Sequence, residues 1–497
     1  MKQQFFYILS KAMCKYQKTL IERLGLFALS LLLFACSYYY SLRVEPSDSQ
    51  ITVNGEPKTV AQRYQAESRE LNITVQREGY EDYCGKTLLS SPFSTEEIVI
   101  KLKKKEYDIS INLISGKANY LIDDKLSGTL PFRGRLEYGE HKLVIKNGEA
   151  SQEIVLFVFK AHDFVFRFHK QNLSVMPLGI FSCGSQPKQI NFSPDGRYFF
   201  ITLLNGEGFE IFDLKELRMV ATIKAGNWPN AKGFVEGLFI PEKHSYLVSQ
   251  MSKNAVWEYE YQPEGSVLLK RQFKSYGVFP KVLAYHPSLN LLAVSNWLSN
   301  DVALIDYQDG SLKHRLSGLK TPRGVTFSRD GKYLFVASYD GGFVAKYSTD
   351  NWQQQAIYVR QPAAMRHLVL NKENSRIYVS DMLNAQVYEL EAANLKLLNT
   401  FKVFSHPNTI DLTSDDRFLC VSCRGPNNPE SYLLRSPQDG KVYIIDTLSH
   451  EVVDIIEGGN QPTALDISPD DSYLVFSNFL DANFEIYSLK GLYAQAR

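Results

Sequence analysis

The sequence is poor in cysteine, has no excess of either charge and has no apolar run long enough to cross a bilayer as a helix. Six cysteines in 497 residues are too few for a disulfide-stapled scaffold. There is no Cys-x-x-Cys-His haem motif and no quinone-type motif, so no cofactor is expected. Lys plus Arg number 55 against 54 Asp plus Glu, a formal net charge of +1. That balance excludes the global positive field of most nucleic-acid binders, so no nucleic-acid partner is expected and any anion site must be local. The apolar run from Leu24 to Ala35 has 12 residues, short of the roughly 20 a spanning helix needs. A hydrophobic content of 44% with 13% aromatics excludes a disordered chain, and the length sets a prior of about two to five domains.

The apolar run follows Lys11, Lys15, Lys18 and Arg23, the layout of a signal peptide with an N-terminal signal or anchor helix. It ends Leu33-Phe34-Ala35-Cys36, which resembles the bacterial lipobox. The resemblance implies lipidation of Cys36 and attachment to a bacterial membrane through several acyl chains, where one alone binds only reversibly. The stretch before the run is long for a leader, and Met13 is an alternative start to Met1. Of the other cysteines, Cys420 and Cys423 have the spacing of a metal or redox pair. They lie in an apolar run that reads as a strand, where positions three apart face opposite sides. No second pair or histidine cluster completes a metal site.

Between Ser37 and about residue 171, short alternating apolar segments are bounded by Pro and Asn-Gly, as in Ile51-Thr52-Val53-Asn54-Gly55, a pattern of half-buried strands and tight turns. A similar unit recurs from Tyr107, with Gly128-Thr129-Leu130-Pro131 and Tyr138-Gly139 ahead of Leu143-Val144-Ile145. This order resembles the PEGA modules of bacterial envelopes, small β-sandwich-like units that serve as stalks or adaptors. The run Lys101 to Lys105 between the copies reads as a solvated strand end.

From residue 184 a motif repeats seven times: a Pro, an apolar strand, a turn like Ser193-Pro194-Asp195-Gly196, a second strand ending in Ser or Asn, and a third often ending in Asp. Pro or Pro-equivalent positions fall at 187, 234, 280, 322, 362, 407 and 462. A period near 45 with short strands indicates four-stranded propeller blades. Phrases such as Tyr333-Leu334-Phe335-Val336-Ala337-Ser338 resemble the YVTN repeat, a relative of NHL and lactonase-type propellers. The expected fold is all-β: signal peptide 1–35, PEGA-like modules 36–105 and 106–171, and a seven-bladed propeller over 172–497. The last copy ends one strand short, and residues 173–181 are expected to supply its outer strand, with Pro177 tolerated at an edge.

In such propellers the segments entering each innermost strand, and the loops after the second strands, gather at one channel mouth. The candidate ligand-binding residues are therefore Lys188, Lys281, Trp297, Arg323, Arg366, His367, His406, Arg424 and Asn427, with Asn296, Asp340, Asp381 and Asn478 nearby. The sixth copy carries an insertion between Ser422 and Val442, whose Tyr432, Leu433 and Leu434 are expected to form a lid. Convergent cations imply a small anionic ligand, with a protein or glycan as other partners. Joint replacement of Arg323, Arg366 and Arg424 is expected to abolish binding without loss of thermal stability. The leading expectation is a non-catalytic cell-envelope lipoprotein on the periplasmic or surface side. The alternative, a lactonase-like hydrolase using His367, Arg366 and Arg424, lacks a recognisable set of central carboxylates.

Overall fold

The computed structural model describes residues 37–92, 94–224 and 232–495. The signal peptide, the anchor helix and Cys36 lie outside the described residues. Among those described, no helix is long and apolar enough to cross a membrane. The chain divides into two units: one comprises residues to 110 with 133–141 and 157–162, the other 111–132, 142–156 and 163 onward.

The first unit contains two facing sheets. One orders Arg63–Ala66, Tyr38–Glu45 and Thr95–Lys101, and the other orders Glu56–Lys58, Gln50–Val53, Glu70–Gln76 and Tyr83–Leu88. Their alternating side chains meet in one core of Tyr40, Leu42, Val44, Ile51, Val53, Leu71, Ile73, Val75 and Ile100, as period-2 patterning requires. The Asn54-Gly55 turn has positive φ at both residues, 53° and 86°, the geometry of a tight hairpin. Lys101 and Lys103 form exposed ion pairs with Glu45 and Glu81, so the basic run is a solvated strand end.

In the second unit, seven four-stranded antiparallel sheets form the propeller. Their innermost strands are Pro187–Phe192, Phe234–Ile240, Pro280–His286, Pro322–Phe327, Met365–Leu370, Pro407–Leu412 and Pro462–Ile467, here numbered blades 1 to 7. Second strands such as Tyr198–Leu203 and Phe418–Cys423 are buried at every position, because neighbouring blades cover both faces. Outer strands such as Gln354–Val359 are mostly exposed. Cys420 and Cys423 project into separate cores. The turns entering the second strands are pinned by their first residue: Ser193 Oγ donates to the Tyr198 carbonyl and accepts from its N–H, both at 3.0 Å. Gly196 and Gly331 complete two of these turns at φ +71° and +72°.

Blade 7 closes the ring as expected. Met176–Ser182 pairs antiparallel with Asn483–Ser488 as the outermost strand, with a bulge between Pro177 and Gly179. The strap before it is anchored too, since Arg167 donates to the buried Glu485 at 2.9 Å and His169 meets the Tyr487 hydroxyl at 3.0 Å. One expectation is corrected in blade 5. Pro362 does not begin the innermost strand; Met365 does, opposite Asp381, as Pro322 stands opposite Ser338 in blade 4.

A hydroxyl stitches six of the seven blades to the next. Thr202, Ser249, Ser295, Ser380, Ser422 and Ser477 each accept an N–H from their own innermost strand. Each also donates to the carbonyl of the second residue of the next innermost strand, or in Ser477 to Pro187 at the ring junction. Blade 4 has Ala337 at this position.

Candidate functional site

The repeat delivers side chains to the channel in two rings. The second residue of each innermost strand supplies the inner ring: Lys188, Val235, Lys281, Arg323, Arg366, Asn408 and Thr463. With Met365 in the proline's place, Arg366 falls in register with Lys281 and Arg323. The residue immediately after each second strand supplies the outer ring: Leu204, Met251, Trp297, Tyr339, Met382, Arg424 and Phe479. Backbone pairing fixes it, because each of these N–H groups donates to a carbonyl just ahead of the innermost strand, as Trp297 does to Phe279 at 3.0 Å. In six blades the residue bearing that carbonyl has positive φ, including Thr321 at 56° and His406 at 56°. Such backbone is costly for a β-branched residue and concentrates at functional sites.

All of the ring positions except Val235 and Thr463 line a cavity of about 230 Å³ at the mouth where the innermost strands begin. Eight of the nine sequence candidates line it: Lys188, Lys281, Trp297, Arg323, Arg366, His406, Arg424 and Asn427. His367 does not. It faces a second cavity toward the far ends of the same strands. Of the three residues expected to form a lid, Tyr432 alone lines the basic mouth, and it stays about half exposed, as do Leu433 and Leu434, so the insertion does not close the mouth. The insertion is held by Asn428, which donates to the Arg435 carbonyl, and by Gln461, which donates to the Tyr432 carbonyl. Asn296, Asp381 and Asn478 end second strands and hydrogen-bond locally, for example Asn296 Nδ2 to Asp301 at 2.8 Å, although Asn296 Oδ1 is buried without a partner; Asp340 is exposed.

The electrostatics of the mouth are unbalanced. Its described cations face one buried carboxylate, Glu236, whose Oε1 accepts from Arg366 Nη2 at 3.1 Å. Both partners are almost fully buried, at 3% and 1% exposure. Burial alone would raise the Glu236 carboxyl, but Arg366, Lys188, His367 and Arg323 together hold it below the usual range. The remaining cations have no such partner. Burial and then Arg366 lower Arg323 to about 9 and Arg424 to about 10. Burial and neighbouring guanidiniums push Lys188 and Lys281 far down, and Lys281 Nζ donates to the Met251 thioether at 3.1 Å. Among the described residues, Arg323 Nε and Nη1, Arg366 Nη1, Arg424 Nε, Trp297 Nε1 and Asn427 Oδ1 are buried with no hydrogen-bond partner. Buried charged donors rarely stay unpaired without a ligand or solvent to meet them.

The far cavity differs. Asp411 and Asp466 line it with Gln189, Asn191, Glu236 and His367, and the two carboxyls hydrogen-bond to each other. Burial raises Asp411 to about 6 and Asp466 well above its ordinary range. Backbone N–H groups donate to both, Phe192 to Asp466 at 2.6 Å and Ile467 to Asp411 at 3.2 Å. Burial, followed by Arg366, lowers the His367 imidazole to about 4, leaving it neutral at pH 7. The channel therefore does contain carboxylates: Glu236, Asp411 and Asp466, all three missed by the sequence reading. No group of three or more His, Cys, Asp or Glu among the described residues is arranged to hold a metal.

Two comparisons bear on this arrangement. A family model described as Lactonase, 7-bladed beta-propeller matches residues 353–492. A protein named Antigen Lp49, from Leptospira interrogans, is 35% identical over 330 residues, covering 65% of this chain and 71% of its own length.

Proposed function

The chain belongs to the family of Antigen Lp49, and from that premise we propose that it is a cell-envelope lipoprotein whose propeller binds a small anion in its basic channel mouth. In this reading the lipid on Cys36 tethers the chain, PEGA-like modules over 36–105 and 106–171 act as a spacer, and the mouth is presented for binding, not catalysis. The relative's name, an antigen, fits a protein exposed at a surface.

The single observation that carries the binding reading is the set of buried, unpartnered guanidinium donors of Arg323, Arg366 and Arg424. An anion would supply the missing acceptors, and hydrogen bonds to charged groups are each worth about 1.5–3 kcal/mol. Titration calorimetry of the detergent-solubilised chain with inorganic phosphate and with sulfate tests it. Saturable binding, lost in Arg323→Met/Arg424→Met, is expected; no heat with either anion would overturn the reading.

A lactonase-like hydrolase is the second reading, favoured by the family match over residues 353–492. It predicts lactone hydrolysis by the purified chain, abolished in His367→Ala.

A further inference from the structure

The outer ring has a composition that a site for a bare inorganic ion does not need. Six of its seven positions are Leu204, Met251, Trp297, Tyr339, Met382 and Phe479, and only Arg424 is charged. Arg424 itself stacks near Tyr432 and Phe479, with its guanidinium 5.6 and 5.5 Å from the ring centroids. Trp297 is shared between two cations, Lys281 at 4.9 Å and Arg323 at 4.6 Å, and Arg323 also lies 5.5 Å from Tyr339. The rings hold the long cationic side chains in place, the geometry of cation–π contacts. A hydrated inorganic ion would leave this apolar collar facing water. A ligand with an apolar body would cover the collar while its charged end reached the inner ring.

We propose that the ligand is a compact amphipathic anion: a planar or otherwise apolar body bearing phosphate, sulfonate or carboxylate oxygens, inserted charge first. The inference rests on the anion-binding reading above and adds the ligand's class. Size limits the body to about one ring, because the cavity of about 230 Å³ lies below the roughly 300 Å³ at which pockets begin to hold drug-sized ligands. The oxygens meet Arg323, Arg366 and Arg424, and the body lies against Met251, Trp297 and Tyr339. Two flexible thioethers suit such a collar, since methionine adapts to irregular apolar shapes and contacts aromatic rings favourably.

The test compares methyl phosphate with phenyl phosphate by calorimetry on the detergent-solubilised full chain, because the two carry the same charge and differ in the apolar body. Phenyl phosphate is expected to bind at least tenfold more tightly. In Met251→Gln/Tyr339→Gln the ratio of the two affinities falls below threefold, a readout that stands whatever happens to methyl phosphate affinity itself. Equal affinities in the wild type would overturn this inference and leave anion binding standing. Failure of both esters to bind would overturn both. A ratio that stays near tenfold in the double variant counts against the collar, and where that variant fails to fold, Met251→Gln alone repeats the comparison with the same reading.

Discussion

The two mouths of the channel carry comparable amounts of buried polar chemistry and resolve it in opposite ways. At the far end, Asp411 and Asp466 hydrogen-bond to each other and take N–H groups from Ile467 and Phe192. A carboxyl pair can do this because each group can be neutral at an attainable pH. At the near end, Arg323, Arg366 and Arg424 cannot share a proton, and Glu236 satisfies only Arg366 among them. Guanidiniums stay charged, so their imbalance persists unless an outside acceptor relieves it. The contrast teaches that burial of charge does not by itself mark a binding site; burial without a way to neutralise does.

The contrast can be broken experimentally, starting with the largest effect. Glu236→Gln removes the acid at the boundary between the mouths and leaves Arg366 buried without its partner. Chemical unfolding should show a loss of about 3–5 kcal/mol, partly recovered in Glu236→Gln/Arg366→Met. A neutral outcome would mean that the pair is solvated and the mouths are not separated. The same pair predicts that Arg366, unlike Arg323 and Arg424, cannot be replaced without loss of thermal stability.

Replacing Arg323 and Arg424 by Met should weaken phosphate binding at least about 100-fold, given roughly 1.5 kcal/mol or more per lost charged hydrogen bond. The unfolding temperature should hold or rise, since two unpaired charges are gone. At the far mouth, Asp411→Asn sharpens the comparison through pH. Asp411 is raised to about 6, so the folded chain keeps a proton that the unfolded chain releases. Stability from the protonated Asp411 is therefore full below about pH 4 and is lost as pH rises through about 6. The variant should lack this loss and exceed the wild type above pH 6 by on the order of 2–3 kcal/mol, read from unfolding curves at pH 5 and 8.

The smallest effects concern the scaffold that both mouths share. Ser295→Ala removes the stitch to Arg323's carbonyl and should cost about 1–3 kcal/mol. Ala337→Ser supplies the stitch missing between blades 4 and 5 and should add about 1 kcal/mol. Shifts of opposite sign in urea midpoint, the larger for Ser295→Ala, would confirm the role; destabilisation by Ala337→Ser would show that the space there is filled.

Much of the propeller was legible because proline marks where the innermost strands begin. Pro187, Pro280 and Pro322 set the register that delivered Lys188, Lys281 and Arg323 to the mouth. Where that marker moves, the reading slips. Pro362 stands three residues ahead of its strand, which hid the equivalence of Arg366 with Arg323. Blade 2 has Phe234 in the proline's place, and Glu236 passed unnoticed two residues on. Asp411 and Asp466 sit in alternating strands that look ordinary, since no local pattern says that two neighbouring blades bring them together. The apolar collar was missed for another reason. Leu204, Met251, Tyr339, Met382 and Phe479 look like scattered loop residues until they are aligned as the position after each second strand, an alignment that Trp297 and Arg424 already satisfied.

The most direct measurement is crystallographic: soak the protein with selenate and record anomalous scattering at the selenium edge. The account predicts a peak within hydrogen-bonding distance of the Arg323, Arg366 and Arg424 guanidiniums and none beside Asp411 and Asp466. A vacant near mouth at saturating selenate would contradict it.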